Sequence, residues 1–241
     1  MIRSLLRPSA AVVGSIAISA IGLCLAWTSA HADTTVAAAA SPSPALNDRW
    51  RDTFAAFDAA DQAKAPAPGG VVFVGSSSIR LWSDLESQFG EVRVVKRGFG
   101  GSRLLDCSEN VQRLVVRYEP RLVVVYAGEN DLAEGRTPQE VLHSFQAFVA
   151  GVHRALPNTR VAYLSIKPSP LRAALMPQIR EANALIAAHA DATPGLKYIN
   201  VHSKMLDAQG QPRAELFLPD RLHLNAQGYA LWASEIGGHL K

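Results

Sequence analysis

The chain has 241 residues, with 24 Lys and Arg against 21 Asp and Glu and a formal net charge of +3. Two of those basic residues, Arg3 and Arg7, fall within an acid-free N-terminal stretch, so the balance beyond residue 32 is 22 basic to 21 acidic. With no dense Lys/Arg run in that near-neutral remainder, the charge points to export and away from nucleic acid as a partner.

Residues 1–32 have the layout of a secretory signal peptide. Arg3 and Arg7 form a basic start, Ala10 to Trp27 carries no charge, and Ala30-His31-Ala32 is a small-x-small cleavage site before Asp33. This predicts a periplasmic or secreted protein with no stable membrane insertion after cleavage. An uncleaved membrane anchor is the rival reading, because the uncharged stretch is nearly long enough to span a bilayer. Leu23 before Cys24 is too large for a lipoprotein-type processing site, and no twin-arginine pair is present. Residues 33–45, rich in Ala, Thr, Ser and Pro, read as a flexible leader. Residues 46–241 then form the one folded domain.

Asn47 to Gln62 carries Trp50, Phe54 and Phe57 at helical spacing, and Ala65 to Gly70 is a Pro/Gly breaker. From there apolar runs alternate with helical patterns. The expected strands are Val71–Val74, Val92–Val95, Leu122–Tyr126, Val161–Ile166 and Leu196–Val201. Between them lie helical stripes: Ile79 to Phe89, Leu104 to Tyr118, Val141 to Leu156, and a helix holding Ile179 to Ile186; Tyr229 to Ile236 follows the last strand. Cys107, the sole cysteine after residue 32, falls on the second stripe and reads as a buried core thiol with no disulfide to make.

Short β-branched runs without polar alternation are strands covered on both faces. Their alternation with helices predicts an α/β fold, a three-layer α/β/α sandwich around a five-stranded parallel sheet. In such sheets ligands bind beyond the carboxyl ends of the strands. That rule gathers four segments on one edge: Gly75-Ser76-Ser77-Ser78, Gly98-Phe99-Gly100-Gly101, Gly128-Glu129-Asn130-Asp131, and Asp220 with His223.

Acyl transfer needs a nucleophile, a base, an orienter for the base and donors for an oxyanion. Any of the three serines can be the nucleophile, although serines after a strand also cap helices. The glycine loop suggests backbone close to a ligand, or a plain turn; the full G-x-G-x-x-G of a nucleotide loop is absent. Asn130 offers a neutral amide for the oxyanion, or with Asp131 a turn before Thr137. Asp220, three residues before His223, can hold the ring's proton and fix its tautomer. Asn225 is suited to cap the last helix, which leaves His223 just before that helix's N-terminus. The imidazole must be neutral to accept the serine proton, so activity is expected to fall in acid.

These four blocks, in this order over residues 70 to 240, resemble the SGNH hydrolase family, the GDSL-like lipases and acylhydrolases. The resemblance implies a flavodoxin-like SGNH hydrolase fold and a serine esterase. It aligns Gly-Asp-Ser with Gly75-Ser76-Ser77, so Ser77 inherits the nucleophile's role and the block's aspartate becomes Ser76. It likewise implies Asp220 and His223 as the other triad members, and Ser77, Gly101 and Asn130 as oxyanion donors. Lys96 stands where an asparagine is frequent. No Gly-x-Ser-x-Gly is centred on these serines, which argues against the lid-bearing α/β-hydrolases.

The remaining candidates are weaker. His143, His153, His189 and His239 read as surface positions, and His202 as a satisfied structural histidine at the end of the fifth strand. Lys167 and Arg172, after the fourth strand, can line the pocket and favour polar or anionic substrates; ordinary solvated charges are the plainer reading. No cluster has metal-ligand spacing, and neither metal nor cofactor is expected. The expected substrate is a short acyl, notably acetyl, ester of carbohydrate or another small molecule. The alternatives are a lysophospholipase or thioesterase on longer chains, and a non-catalytic carbohydrate-binding protein of the same fold.

Overall fold

Five strands, β1 (Val71–Gly75), β2 (Val94–Gly98), β3 (Leu122–Tyr126), β4 (Arg160–Leu164) and β5 (Leu196–Ile199), pair in the order β2-β1-β3-β4-β5, all parallel. The computed structural model describes residues 49–90 and 92–241; the segments expected to be a signal peptide and a leader, and the first residues of the helix expected from Asn47, lie outside them.

The period of two along each strand sorts the core into two layers. Val72, Val74, Val95, Val123, Val125, Val161 and Tyr163 face one cluster, while Val71, Phe73, Leu122, Val124, Tyr126, Ala162 and Leu164 face another. Helix α1 (Arg51–Ala63), α4 (Leu104–Glu109), α7 (Pro138–Ala155) and α8 (Met176–Asp191) supply apolar residues to the first layer. The short helices α2 (Ser77–Arg80) and α3 (Leu85–Gln88) and the last helix, α9 (Ala226–Gly237), supply the second. The three-layer sandwich expected from the apolar runs is therefore what forms. Cys107 is fully buried, as its stripe required.

Chain direction across the sheet reverses between β1 and β3, because β2 lies outside β1 while β4 and β5 extend the other side. The crevice at such a switch point is where ligands bind. The segments after β1 and β3 border it.

Several boundaries differ from the pattern-based ones, for identifiable reasons. The second strand runs to Gly98 because Lys96 and Arg97 find partners in neighbouring elements. Lys96 Nζ donates to the Trp82 carbonyl (3.0 Å), and the Arg97 guanidinium meets Asp61 and the Tyr118 hydroxyl. The stripe at residues 104–118 is three short pieces: α4, α5 (Val111–Leu114) and a 3-10 turn at Val116–Tyr118. Asn110, at φ −109° and ψ 19°, breaks the helix between α4 and α5. The stripe at 79–89 is likewise split into α2 and α3. By contrast α7 begins at a full capping box: the Thr137 hydroxyl accepts from the Glu140 N–H (3.2 Å) while Glu140 Oε2 accepts from the Thr137 N–H (2.8 Å).

An aromatic cluster ties α2 to α9. Trp82 stacks on Tyr229 (centroids 5.1 Å apart) and meets Trp232 edge-on (6.0 Å), and the Tyr229 hydroxyl donates to the Ser78 carbonyl (2.9 Å). Each large aromatic contributes a few kcal/mol of burial. That packing fixes the segments before and within these two helices, and those segments carry Ser77 and His223.

Candidate active site

The turn after β1 needs glycine. At Gly75 the backbone takes φ +153°, and a Cβ there would lie 1.9 Å from the Tyr126 carbonyl oxygen. The chain then enters α2 with Ser76 and Ser78 buried and Ser77 half-buried. This settles which serine is presented: Ser77 Oγ lies 3.0 Å from His223 Nε2. On the other side of the ring, His223 Nδ1 lies 2.6 Å from Asp220 Oδ2. The remaining Asp220 oxygen accepts from the Leu222 and His223 N–H groups (2.9 and 3.0 Å), so the carboxylate is held on three sides.

Desolvation pushes the Asp220 carboxyl up, but the hydrogen bond from His223 and those from the backbone N–H groups outweigh it and hold it at about 2. Asp220 is therefore ionised wherever the imidazole can act, with Nδ1–H donating to it and Nε2 left to accept from Ser77. The turn is tight: Arg221 sits at φ +59°, and an antiparallel bridge joins Phe217 to Leu224. Asn225 caps α9 through the Gly228 N–H (3.1 Å), as its position suggested.

The other two blocks are locked together. Asn130 Nδ2 donates to the Ser102 carbonyl (2.9 Å), and Asp131 Oδ2 accepts from the Leu104 N–H (2.8 Å). The two residues thus clamp both ends of the turn between Gly101 and α4. Burial raises the Asp131 carboxyl above its usual range, with the Leu104 N–H opposing. Gly101, at φ +73°, lines the cleft, and its N–H makes no hydrogen bond among the described residues. The Ser77 N–H opens a helix, where no intrahelical acceptor exists.

The Asn130 amide has a defined orientation because Arg172 Nη2 donates to its Oδ1 (3.0 Å). Guanidinium has no acceptor, so the oxygen must face it and the NH2 must face the glycine loop. Behind this pair lies a buried network that residue patterns did not reveal. Glu129 accepts from the Tyr126 hydroxyl (3.0 Å), from the Ser169 hydroxyl (2.8 Å) and from the Lys167 ammonium, and Arg172 Nη1 is 3.6 Å away. Burial pushes the Glu129 carboxyl up, and Lys167 and then Arg172 more than reverse that, leaving it below its usual value. The Lys167 ammonium is pulled down by burial, with Glu129 opposing.

Lys167 is 1% exposed, so the solvated-charge reading fails there. The run Lys-Pro-Ser-Pro after a strand gave no signal that its lysine turns inward to a glutamate 38 residues earlier. Arg172 lines the cleft, as one of its two readings held. Two further contacts were not foreseen: Trp50 Nε1 donates to the Gly100 carbonyl (2.9 Å), and Arg49 Nη2 to the Gly101 carbonyl (3.3 Å).

His202 is buried, with Nδ1 3.1 Å from the Ile166 carbonyl, and burial lowers its ring pKa. It does not line the cleft. His143 is exposed, but His153 is half-buried and bonded to the Thr159 carbonyl (3.0 Å), and the His189 ring meets Phe145 edge-on. Among the described residues no group of His, Cys, Asp and Glu is arranged to hold a metal ion, and no helix is long and apolar enough to cross a membrane.

Ser77, Gly101, Asn130 and His223 all line one open cleft of about 600 Å³. An imidazole bridging a half-buried serine and a carboxylate, with backbone and amide donors lining the same cleft, is the kind of site a hydrolase needs. Residues 67–231 match the GDSL-like Lipase/Acylhydrolase family, and the chain belongs to that family. Similar solved structures include a Streptococcus pneumonia protein whose name refers to platelet activating factor (TM-score 0.72, 22% identity, 81% of this chain and 94% of that one). A carbohydrate esterase of family 3 from Talaromyces cellulolyticus is also similar (0.58, 19%, 71% and 96%), as is an acetyl esterase S10A mutant with acetate ion (0.59, 18%, 71% and 96%). At these identities the likeness is one of fold. No curated protein matches the chain.

Proposed function

We propose that the chain is an exported serine esterase that cleaves short acyl esters, acetyl foremost, of carbohydrates or other small polar alcohols. The observation that carries this reading is the continuous relay Ser77 Oγ–His223–Asp220, at 3.0 and 2.6 Å. His223 Nε2 takes the Ser77 proton as Oγ attacks the ester carbonyl carbon. The resulting oxyanion accepts from the Ser77 and Gly101 N–H groups and the Asn130 amide. Collapse expels the alcohol, which takes the proton from His223 and leaves an acyl-serine. Water then repeats the sequence, releasing the acid and restoring Ser77.

The preference for short acyl groups on polar alcohols is supported by the cleft lining. Trp50 and Leu222 are the only large apolar residues among the described ones that line it. The names of two structural relatives, a carbohydrate esterase and an acetyl esterase, agree with that choice. One feature favours longer chains as a second reading. The two exposed large apolar residues among the described ones, Leu171 and Leu218, sit on segments whose backbone bonds reach the catalytic turn, at Arg221 (3.0 Å) and His223 (2.8 Å). A series of nitrophenyl esters separates the two. The proposal predicts the highest kcat/KM at two carbons; a maximum at eight or more carbons supports the lipid-like reading instead.

A further inference from the structure

The cleft wall is cationic out of proportion to a nearly neutral chain. Arg49, Arg80 and Arg172 all line it, and among the described residues no Asp or Glu does. Each guanidinium lies against an element that carries an oxyanion donor or flanks one. Arg49 donates to the Gly101 carbonyl and lies over the Trp50 ring, 4.8 Å from its centroid. Arg172 donates to Asn130. Arg80 packs on the glycine loop so closely that a Cβ on Gly100 would lie 2.9 Å from its Nε.

Their charges are largely uncompensated. Neither Arg49 nor Arg80 makes an ion pair within 4.0 Å among the described residues. Arg172 shares Glu129 with Lys167, so one carboxylate faces two cations. Other arginines do have a carboxylate of their own: Arg97 has Asp61, Arg103 has Asp106 and Arg117 has Asp58. Arg80 also has a fixed relation to the nucleophile. It is three residues after Ser77 within α2, and i, i+3 positions share a helix face.

We infer that the ester's alcohol carries an anionic group, a carboxylate, sulfate or phosphate, that Arg80 and Arg49 receive while the acyl group faces Gly101 and Asn130. This rests on the esterase reading above and names its substrate class. Guanidinium suits such a group because its fork meets two oxygens at once, and a cleft of one sign concentrates ligands of the other.

The test is a matched pair: the methyl glycoside of an acetylated glucuronic acid and the same compound with its carboxylate methylated. Acyl group, ring and glycoside are shared, and one charge differs. The expected result is a kcat/KM about tenfold higher for the free acid at low salt. Arg80→Gln should lower the ratio of the two constants towards one, and 0.5 M NaCl should do the same. Equal constants for the two esters in the wild type overturn the inference while leaving an esterase. So does an unchanged ratio in both Arg80→Gln and Arg49→Gln, which would mean that the arginines serve only the oxyanion shared by both substrates. If neither ester is hydrolysed and Ser77 resists a fluorophosphonate, the esterase reading itself fails and this inference with it.

Discussion

Two carboxylates support the site from opposite sides, and they live in different media. Asp220, with its side chain 46% exposed, orients one imidazole through a turn of four residues. Glu129, 6% exposed, gathers a tyrosine, a lysine, a serine and an arginine from behind the oxyanion wall. Both are held below their usual ionisation range, but by different means: hydrogen bonds within one turn for Asp220, buried cations for Glu129. The difference separates catalysis from folding. Removing a solvated carboxylate leaves nothing stranded, whereas removing a buried one leaves an ammonium without its counter-ion.

That contrast can be broken at several points. Ser77→Ala should abolish turnover, by roughly a million-fold, with an unfolding midpoint close to wild type, since the hydrogen bond of Oγ among the described residues is to the ring it serves. Asp220→Asn should lower kcat on the order of 10⁴-fold through the wrong tautomer, again with little change in urea midpoint. Glu129→Gln should behave oppositely, losing about 3–5 kcal/mol of stability in urea melts before any assay is informative. A Glu129→Gln protein of normal stability would erase the distinction.

Asn130→Ala lies between the two. It removes a proposed oxyanion donor, worth on the order of 100- to 1000-fold in kcat, and also the bond to Ser102. KM should move little. The smallest effect is the pH dependence of stability. A carboxylate whose folded pKa is depressed contributes stability that is complete above its unfolded value and lost as pH falls. For Glu129 the loss begins below about 4.5, and for Asp220 between 3.8 and about 2, much reduced by its exposure. Asp220→Asn should therefore melt a small, constant amount below wild type above pH 4 and converge on it as the pH falls towards about 2.

The sheet was readable because β3, and β4 after Arg160, are runs of Val, Leu, Tyr and Ala with no competing pattern. The three side chains of the proposed triad were readable because each belongs to a block with its own spacing. What stayed hidden were partnerships between distant polar residues. Nothing local to Lys167 announces Glu129, and nothing in Val-Val-Lys96-Arg97 announces that Asp61 and the Trp82 carbonyl let the strand continue through its charges. The breaks in the first and second helical stripes, at residues 79–89 and 104–118, were hidden for a related reason. Periodicity reports which residues face the core, and short helices that follow one another can preserve that period.

The central claim is that His223 activates Ser77 and no other serine. Fluorophosphonate labelling, followed in time and mapped by peptide mass spectrometry, tests it most directly. The account predicts a single adduct on Ser77, formed more slowly as the solution is acidified and barely detectable in His223→Ala. An adduct on Ser76 or Ser78, or ester hydrolysis that survives Ser77→Ala, would contradict it.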